Sequence, residues 1–262
     1  MPAGPPHHWR ELRTMALTSR NPNAIPAGPA TAGANVAIWA VHLDVPAPSV
    51  HAATHFLSPD ERTRADAFRN EQAQRNYIVA HAALRQILAK HLKLNPTEIS
   101  FLIGTYGKPA LAGAPTGTLE FNLTHSGNLA LVAVTPSAEV GVDVETIRPM
   151  PDALRLAERF FSTRESDTLK ELPTPEQATA FLNLWTRKEA IAKATGLGIA
   201  NSLARFEVAF GSEATVKAID GDARLAAQWS LRSFEPAPGY VAAVAVRSPK
   251  AQVTFHQFTT EV

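Results

Sequence analysis

The sequence predicts an α+β protein made of two similar α/β halves. Three observations carry that reading. There are short apolar runs of strand length, and there are helical patterns opened by capping signals. The order strand, helices, strands also occurs twice, with the join near residue 138. The chain has 262 residues, 45% of them hydrophobic, which suffices for one large domain or two small ones around a real core.

Residues 1–34 read as a tail. Met1–Pro6 and Asn21–Ala34 are rich in Pro, Ala, Gly and Asn and show no period that buries a face. Met15, inside the tail, is an alternative start. The first half covers 35–138. Val36–Leu43 is a buried strand, and Ser58-Pro59-Asp60-Glu61 opens a helix that runs through Phe68, with Ser58 as N-cap. A second helix over Glu71–His91 carries Ile78, Ala82, Leu84, Ile87, Leu88 and Leu92 as a stripe and stops before Asn95-Pro96. Ile99–Ile103, Leu119–Leu123 and Leu129–Val134 are strands, and Thr105–Pro109 is a turn.

The second half covers 139–250. It starts with a strand at Gly141–Glu145. Ser162-Thr163-Arg164-Glu165 is a capping box. Thr174-Pro175-Glu176 opens a long helix that Gly196 closes. Phe206–Phe210, Trp229–Phe234 and Tyr240–Val246 are strands, and 251–262 is set apart as a C-terminal extension. The duplication is architectural, because no letter-by-letter repeat is visible.

Composition removes several classes of function. Lys and Arg number 25 against 24 Asp and Glu, so the net charge of +1 argues against a nucleic-acid binder that works by bulk electrostatics. With no cysteine, thiolate metal sites and thiol nucleophiles are excluded. No apolar run approaches the ~18 residues of a membrane span. Met15–Leu17 is too short for the ~7–15-residue apolar region of a secretory leader. The expectation is a cytoplasmic enzyme with no membrane partner.

Four motifs bear on chemistry. In Gly141-Val142-Asp143-Val144-Glu145, strand geometry points Asp143 and Glu145 to one face. Two carboxylates so close repel unless they share a cation, and oxygen donors beside a phosphate suit Mg²⁺. A solvated strand face gives the same pattern. In Trp185–Lys193, Glu189 and Lys193 lie four apart on one helical face. That is either an exposed ion pair or a third metal ligand or base, with Lys193 and Lys188 touching phosphate. In Phe121–Gly127, a polar turn with Thr124, His125 and Ser126 follows a strand and offers donors to a phosphate, or simply turns the chain. Tyr106-Gly107-Lys108-Pro109 is a surface turn or a contact for an anion or base edge.

In this order and spacing the four resemble the signatures of phosphopantetheinyl transferases of the surfactin-synthetase-activating type. That family shows Gly-Lys-Pro, then Phe-Asn-x-Ser/Thr-His-Ser, then Gly-x-Asp-x-Glu, then Trp-x-x-Lys-Glu-x-x-x-Lys. The resemblance covers roughly residues 36–246. It implies a pseudo-dimer of two α/β halves with coenzyme A in the cleft between them, and a monomer, since both sides of the cleft lie in one chain. It implies Mg²⁺ on Asp143, Glu145 and Glu189. His125 and Lys193 would contact the phosphates, with Lys188 nearby and Ser126 in the same segment. Gly107, Lys108 and Pro109 would border the adenine, and Thr124 would help at the 3′-phosphate. Arg64 and Arg75 are the candidates to hold that phosphate, since Glu61 falls where some relatives carry Lys.

The implied reaction moves the phosphopantetheine arm of coenzyme A onto a serine of an apo acyl or peptidyl carrier protein. The leaving group is 3′,5′-adenosine bisphosphate, and Glu189 is the candidate base, directly or through a water. Fatty-acid, polyketide, peptide-synthetase and aminoadipate carriers all fit. Two rivals use the same residues: a phosphohydrolase of coenzyme A or nucleotides, and a non-catalytic coenzyme A binding protein.

Overall fold

The computed structural model describes residues 30–113, 119–136, 138–198 and 203–259. Most of the expected tail, including Met15, lies outside them. The order of elements is β1 (Asn35–His42), α1 (Ala47–Thr54), α2 (Pro59–Asp66), α3 (Glu71–Leu92), β2 (Phe101–Ile103), β3 (Pro109–Leu111), β4 (Glu120–Ser126), β5 (Leu129–Thr135) and β6 (Val140–Thr146). Then come α4 (Ala153–Phe160), α5 (Thr163–Glu171), α6 (Thr174–Thr195), β7 (Phe206–Val208), β8 (Val216–Ile219), α7 (Ala223–Ala226), β9 (Ser230–Phe234), β10 (Tyr240–Val246) and β11 (Gln252–Phe258).

Two sheets form the centre. The first has the order β11-β1-β5-β4 and the second β6-β10-β9. Val36, Ile38, Leu129, Leu131 and Ala133 of the first pack against Val140, Val142, Val144, Ala242 and Val244 of the second. The outer face of the first sheet buries Val41, Ala130, Val132 and Phe121 under α1–α3. The outer face of the second buries Val241, Ala243 and Ala245 under α6 and its neighbours. The layers are therefore helix, sheet, sheet, helix. This explains why β5 and β10 read as near-continuous apolar runs: both faces of each are covered.

Local signals set the helix ends as expected. Ser58 and Ser162 each accept from the backbone N–H three residues on, while Glu61 and Glu165 return the bond. Gly196 closes α6 in the left-handed region at φ 71°. The structure adds helices α1, α4 and α7 and strands β3 and β8 to the expected elements, and it differs elsewhere as well. Helix α2 stops at Asp66 rather than Phe68. Strand β4 extends to Ser126, so Thr124, His125 and Ser126 lie on the strand and the turn falls at Gly127-Asn128. The stretch beyond residue 250 contains β11, which pairs in parallel with β1 from Asn35↔Gln252 to Val41↔Phe258. The end of the chain thus returns to the first sheet, an alternating pattern too polar on its exposed side to read as a buried strand.

Candidate active site

The site forms where β4, β6 and α6 meet, and Gly141 is the reason they can. A Cβ placed on Gly141 would lie 2.1 Å from the Ala190 carbonyl oxygen and 2.4 Å from the Ala194 nitrogen. The backbone of α6 rests directly on β6 at this residue. Glu189 and Lys193 each immediately precede one of those two contacts, so the crossing delivers both next to Asp143, two residues along the strand.

On the other side, β4 runs beside β6 without a ladder between them. Side chains do the bridging instead. The Val142 N–H donates to Asn122 Oδ1 at 2.9 Å, the Thr124 hydroxyl to Asp143 Oδ1 at 3.1 Å, and the Ser126 hydroxyl to Glu145 Oε2 at 3.3 Å. Asn122, Thr124 and Ser126 share one face of the strand by its period of two.

At the centre, Lys193 Nζ lies 2.5 Å from Asp143 Oδ1, 3.0 Å from Thr124 Oγ1 and 3.6 Å from Glu189 Oε2. Burial pushes the Asp143 carboxyl above its ordinary value; Lys193 opposes that rise and Glu145 adds to it. Burial, reinforced by Asp143, raises Glu189 to about 8. Burial works against the Lys193 charge, yet Asp143 and Glu189 outweigh it and hold the ammonium above its usual value. The cluster therefore holds more carboxyl groups than its one buried ammonium can keep ionised, and Glu189 retains its proton below about pH 8. Asp143 Oδ2 is buried with no hydrogen-bond partner.

These features suit a cation, but the three carboxylates are not arranged around one point. Among the described residues no three His, Asp or Glu side chains are disposed to hold a metal ion. The physical reason is visible: Lys193 stands between Asp143 and Glu189, and Arg148 donates to Glu145 Oε2 at 2.8 Å.

Other expected residues are placed elsewhere. Lys188 does not face the phosphate side, and that expectation is corrected: it is fully buried, paired with Glu165 at 2.6 Å and donating to the carbonyls of Leu203 and Phe206. One helical step from Glu189 turns it into the core of the second half. Trp185 likewise packs among Phe160, Phe161 and Phe181. His125 is exposed on the face of β4 opposite Thr124 and Ser126.

Arg64 is exposed with its guanidinium 5.7 Å from the Tyr77 ring centre, and Arg75 donates to the Val45 carbonyl at 2.8 Å. Glu61 is spent on structure, taking bonds from Arg85 at 2.6 Å and the Ser58 N–H at 2.9 Å. Burial alone would raise its pKa, but His81, Ser58 and Arg85 bring it down to about 2. Gly107 turns at φ 87°, Pro109 begins β3, and Lys108 reaches across to the second half. Asn122 and Arg148 are contributors that motif reading missed. Asn122 sat inside a quoted motif without a role, and nothing local marks Arg148.

Two family models match the chain. One, described as the 4′-phosphopantetheinyl transferase superfamily, matches residues 139–245; the other, described as the N-terminal region of 4′-phosphopantetheinyl transferase, matches 46–137. The 4′-phosphopantetheinyl transferase HetI of Nostoc sp. is 38% identical over 213 residues, covering 80% of this chain and 87% of that protein. The psf-1 transferase of Bacillus pumilus is 34% identical, covering 75% and 81%. The Sfp transferase of Bacillus subtilis is 28% identical, covering 74% and 84%. The fold and site define a two-halved α+β protein with a carboxylate–lysine centre between the halves. The chain belongs to the 4′-phosphopantetheinyl transferase superfamily, of the Sfp type.

Proposed function

We propose that this chain transfers the 4′-phosphopantetheine arm of coenzyme A to a serine of an apo acyl or peptidyl carrier protein, in an Mg²⁺-dependent reaction. The observation that carries the reading is the junction of Thr124, Asp143, Glu189 and Lys193, in which three separate sequence motifs meet.

The serine oxygen attacks the β-phosphorus of coenzyme A. A new P–O bond forms, and the bond to the bridging oxygen of 3′,5′-adenosine bisphosphate breaks. Glu189, beside the leaving phosphates and the other carboxylates, is the candidate to take the serine proton, directly or through a water. Lys193 holds its charge against burial and stands ready to meet the phosphate as negative charge shifts to the leaving group. His125 adds a donor at the phosphates, Thr124 and Ser126 orient the carboxylates, and Arg64 and Arg75 are the basic candidates for the 3′-phosphate.

Asp143, Glu145 and Glu189 would hold the Mg²⁺ once Lys193 and Arg148 give up their bonds to them, and the partnerless Asp143 Oδ2 supports that fit. When bound, the ion neutralises charge that develops on the pyrophosphate. The protein acts as a cytoplasmic monomer in this reading. Among the described residues no helix is long and apolar enough to cross a membrane.

The test is to incubate the protein with coenzyme A, Mg²⁺ and a panel of apo-carriers and weigh each carrier. A gain of one phosphopantetheine arm is expected. Release of 3′,5′-adenosine bisphosphate without a carrier would replace the reading with a hydrolase. Binding of coenzyme A with no product would replace it with a non-catalytic binder.

A further inference from the structure

We propose that Lys108 is a positioning residue that braces the end of α6 against β6, and so sets the place of Lys193 and Glu189, rather than a contact for the base of coenzyme A. The inference rests on the transferase reading for its kinetic part only.

Lys108 sits in the turn between β2 and β3, in the first half. Its side chain crosses to the second half, where Nζ donates to the Ala194 carbonyl at 2.7 Å and lies 3.3 Å from the Val140 carbonyl. Ala194 is in the last turn of α6, where carbonyls have no partner within the helix. An ammonium there also meets the negative end of the helix dipole. Val140 heads β6. One cation thus ties together the two backbones whose closeness at Gly141 creates the site.

The neighbours on each side sharpen the point. Ala194 directly follows Lys193, and Val140 directly precedes Gly141. Burial lowers the pKa of Lys108, with Glu120 and Glu139 opposing the fall.

The rest of the turn lies on bare backbone. A Cβ on Gly196 would be 3.6 Å from Lys108 Cδ, and one on Gly198 would be 3.3 Å from the Tyr106 ring. The Gly196 distance is ordinary contact, whereas the Gly198 distance is tighter than that, so Gly198 is the residue whose bare backbone lets Tyr106 sit close past the end of α6. The result is a clamp made of Tyr106 and Lys108, joining the halves at a point next to the reacting groups.

The test compares Lys108→Met and Lys108→Arg with the unchanged protein. Turnover is measured with coenzyme A, Mg²⁺ and an apo-carrier; hydrogen exchange is measured on the protein alone. Displacing reacting groups by about 1 Å costs up to ~100-fold in rate. Lys108→Met is expected to lower kcat by roughly 10- to 100-fold, with KM for coenzyme A changed less than about twofold. The Gly196 and Leu197 amides, both bonded to the Ala192 carbonyl, should exchange at least about tenfold faster. Lys108→Arg should recover part of kcat. A rise in KM at unchanged kcat, or unchanged exchange at α6, overturns the brace. If the unchanged protein transfers nothing, the transferase reading fails while the exchange result still decides the brace. Should Lys108→Met prove insoluble, Lys108→Gln, with an N–H donor on a shorter arm, is read by the same criteria.

Discussion

Gly141→Ala is the most searching perturbation of this molecule. The added methyl would lie 2.1 Å from the Ala190 oxygen and 2.4 Å from the Ala194 nitrogen, while ordinary contact begins at 3.4 Å. Both obstacles are helix backbone, so no side chain can swing aside. Relief requires α6 to lift from β6 by about 1 Å, or the strand to bend by as much. The stability cost of such overpacking is about 1–3 kcal/mol. The rate should suffer too, because Lys193 and Glu189 ride on the helix and Asp143 on the strand. A 1 Å misplacement is worth up to ~100-fold in rate. The expected outcome is a folded protein, melting lower, whose rate of carrier modification by mass spectrometry falls by roughly 10- to 100-fold. If Gly141→Ala modified the carrier at the unchanged rate, the contact between helix and strand would not be what positions the centre.

Three further outcomes follow from the geometry. Asp143→Ala should abolish carrier modification while circular dichroism shows the fold intact, and near-normal turnover would sink the role of Asp143 in the centre. Lys188→Met should destabilise the protein by about 3–5 kcal/mol in denaturant unfolding, since Glu165 is left buried and unpaired; KM for coenzyme A should hold, and a raised KM at unchanged stability would restore Lys188 to the phosphate side. The third concerns pH. Glu189 lies at about 8 when folded against an ordinary 4.5, so between these values the folded state binds more protons than the unfolded one. In chelator its contribution to stability therefore falls as pH rises from about 4.5 to 8. Asp143 is raised too and acts in the same direction, whereas Lys193 is shifted only above its usual value and matters beyond that window. Mg²⁺ should raise the melting temperature more at pH 8 than at pH 6, releasing protons as it binds. An equal effect at both pH values would refute the assignment of the ion to this cluster.

Much of the outline was legible from the chain alone. Helix starts were readable because their signals are local: Ser58 with Glu61, and Ser162 with Glu165, close capping boxes within four residues. Strands β5 and β10 were readable because burial on both faces removes polar residues from them. The pairing of Asp143 with Glu145 followed from strand period alone. Strand β11 escaped because it is mostly exposed and finds its partner more than 200 residues away, at β1. Lys188 was misplaced because a motif records order along the chain, and one residue along a helix is a turn of about 100°.

What the sequence determined by itself is therefore local: the caps, the apolar runs, the shared face of two carboxylates, and the ordered motifs that carry the family resemblance. What only the tertiary structure decided is which of those motifs touch. Glu189 and Lys193 reach Asp143 because Gly141 has no side chain, so the backbone of α6 can rest on β6. Thr124 joins them because β4 and β6 lie edge to edge, bridged by side chains instead of a ladder. Lys188 and Glu61 are held as buried ion pairs in the two halves. The physical reason is the range of the forces. Capping and strand period act over a few residues, whereas close packing and the pairing of buried charges act between segments that the chain brings together only when it folds.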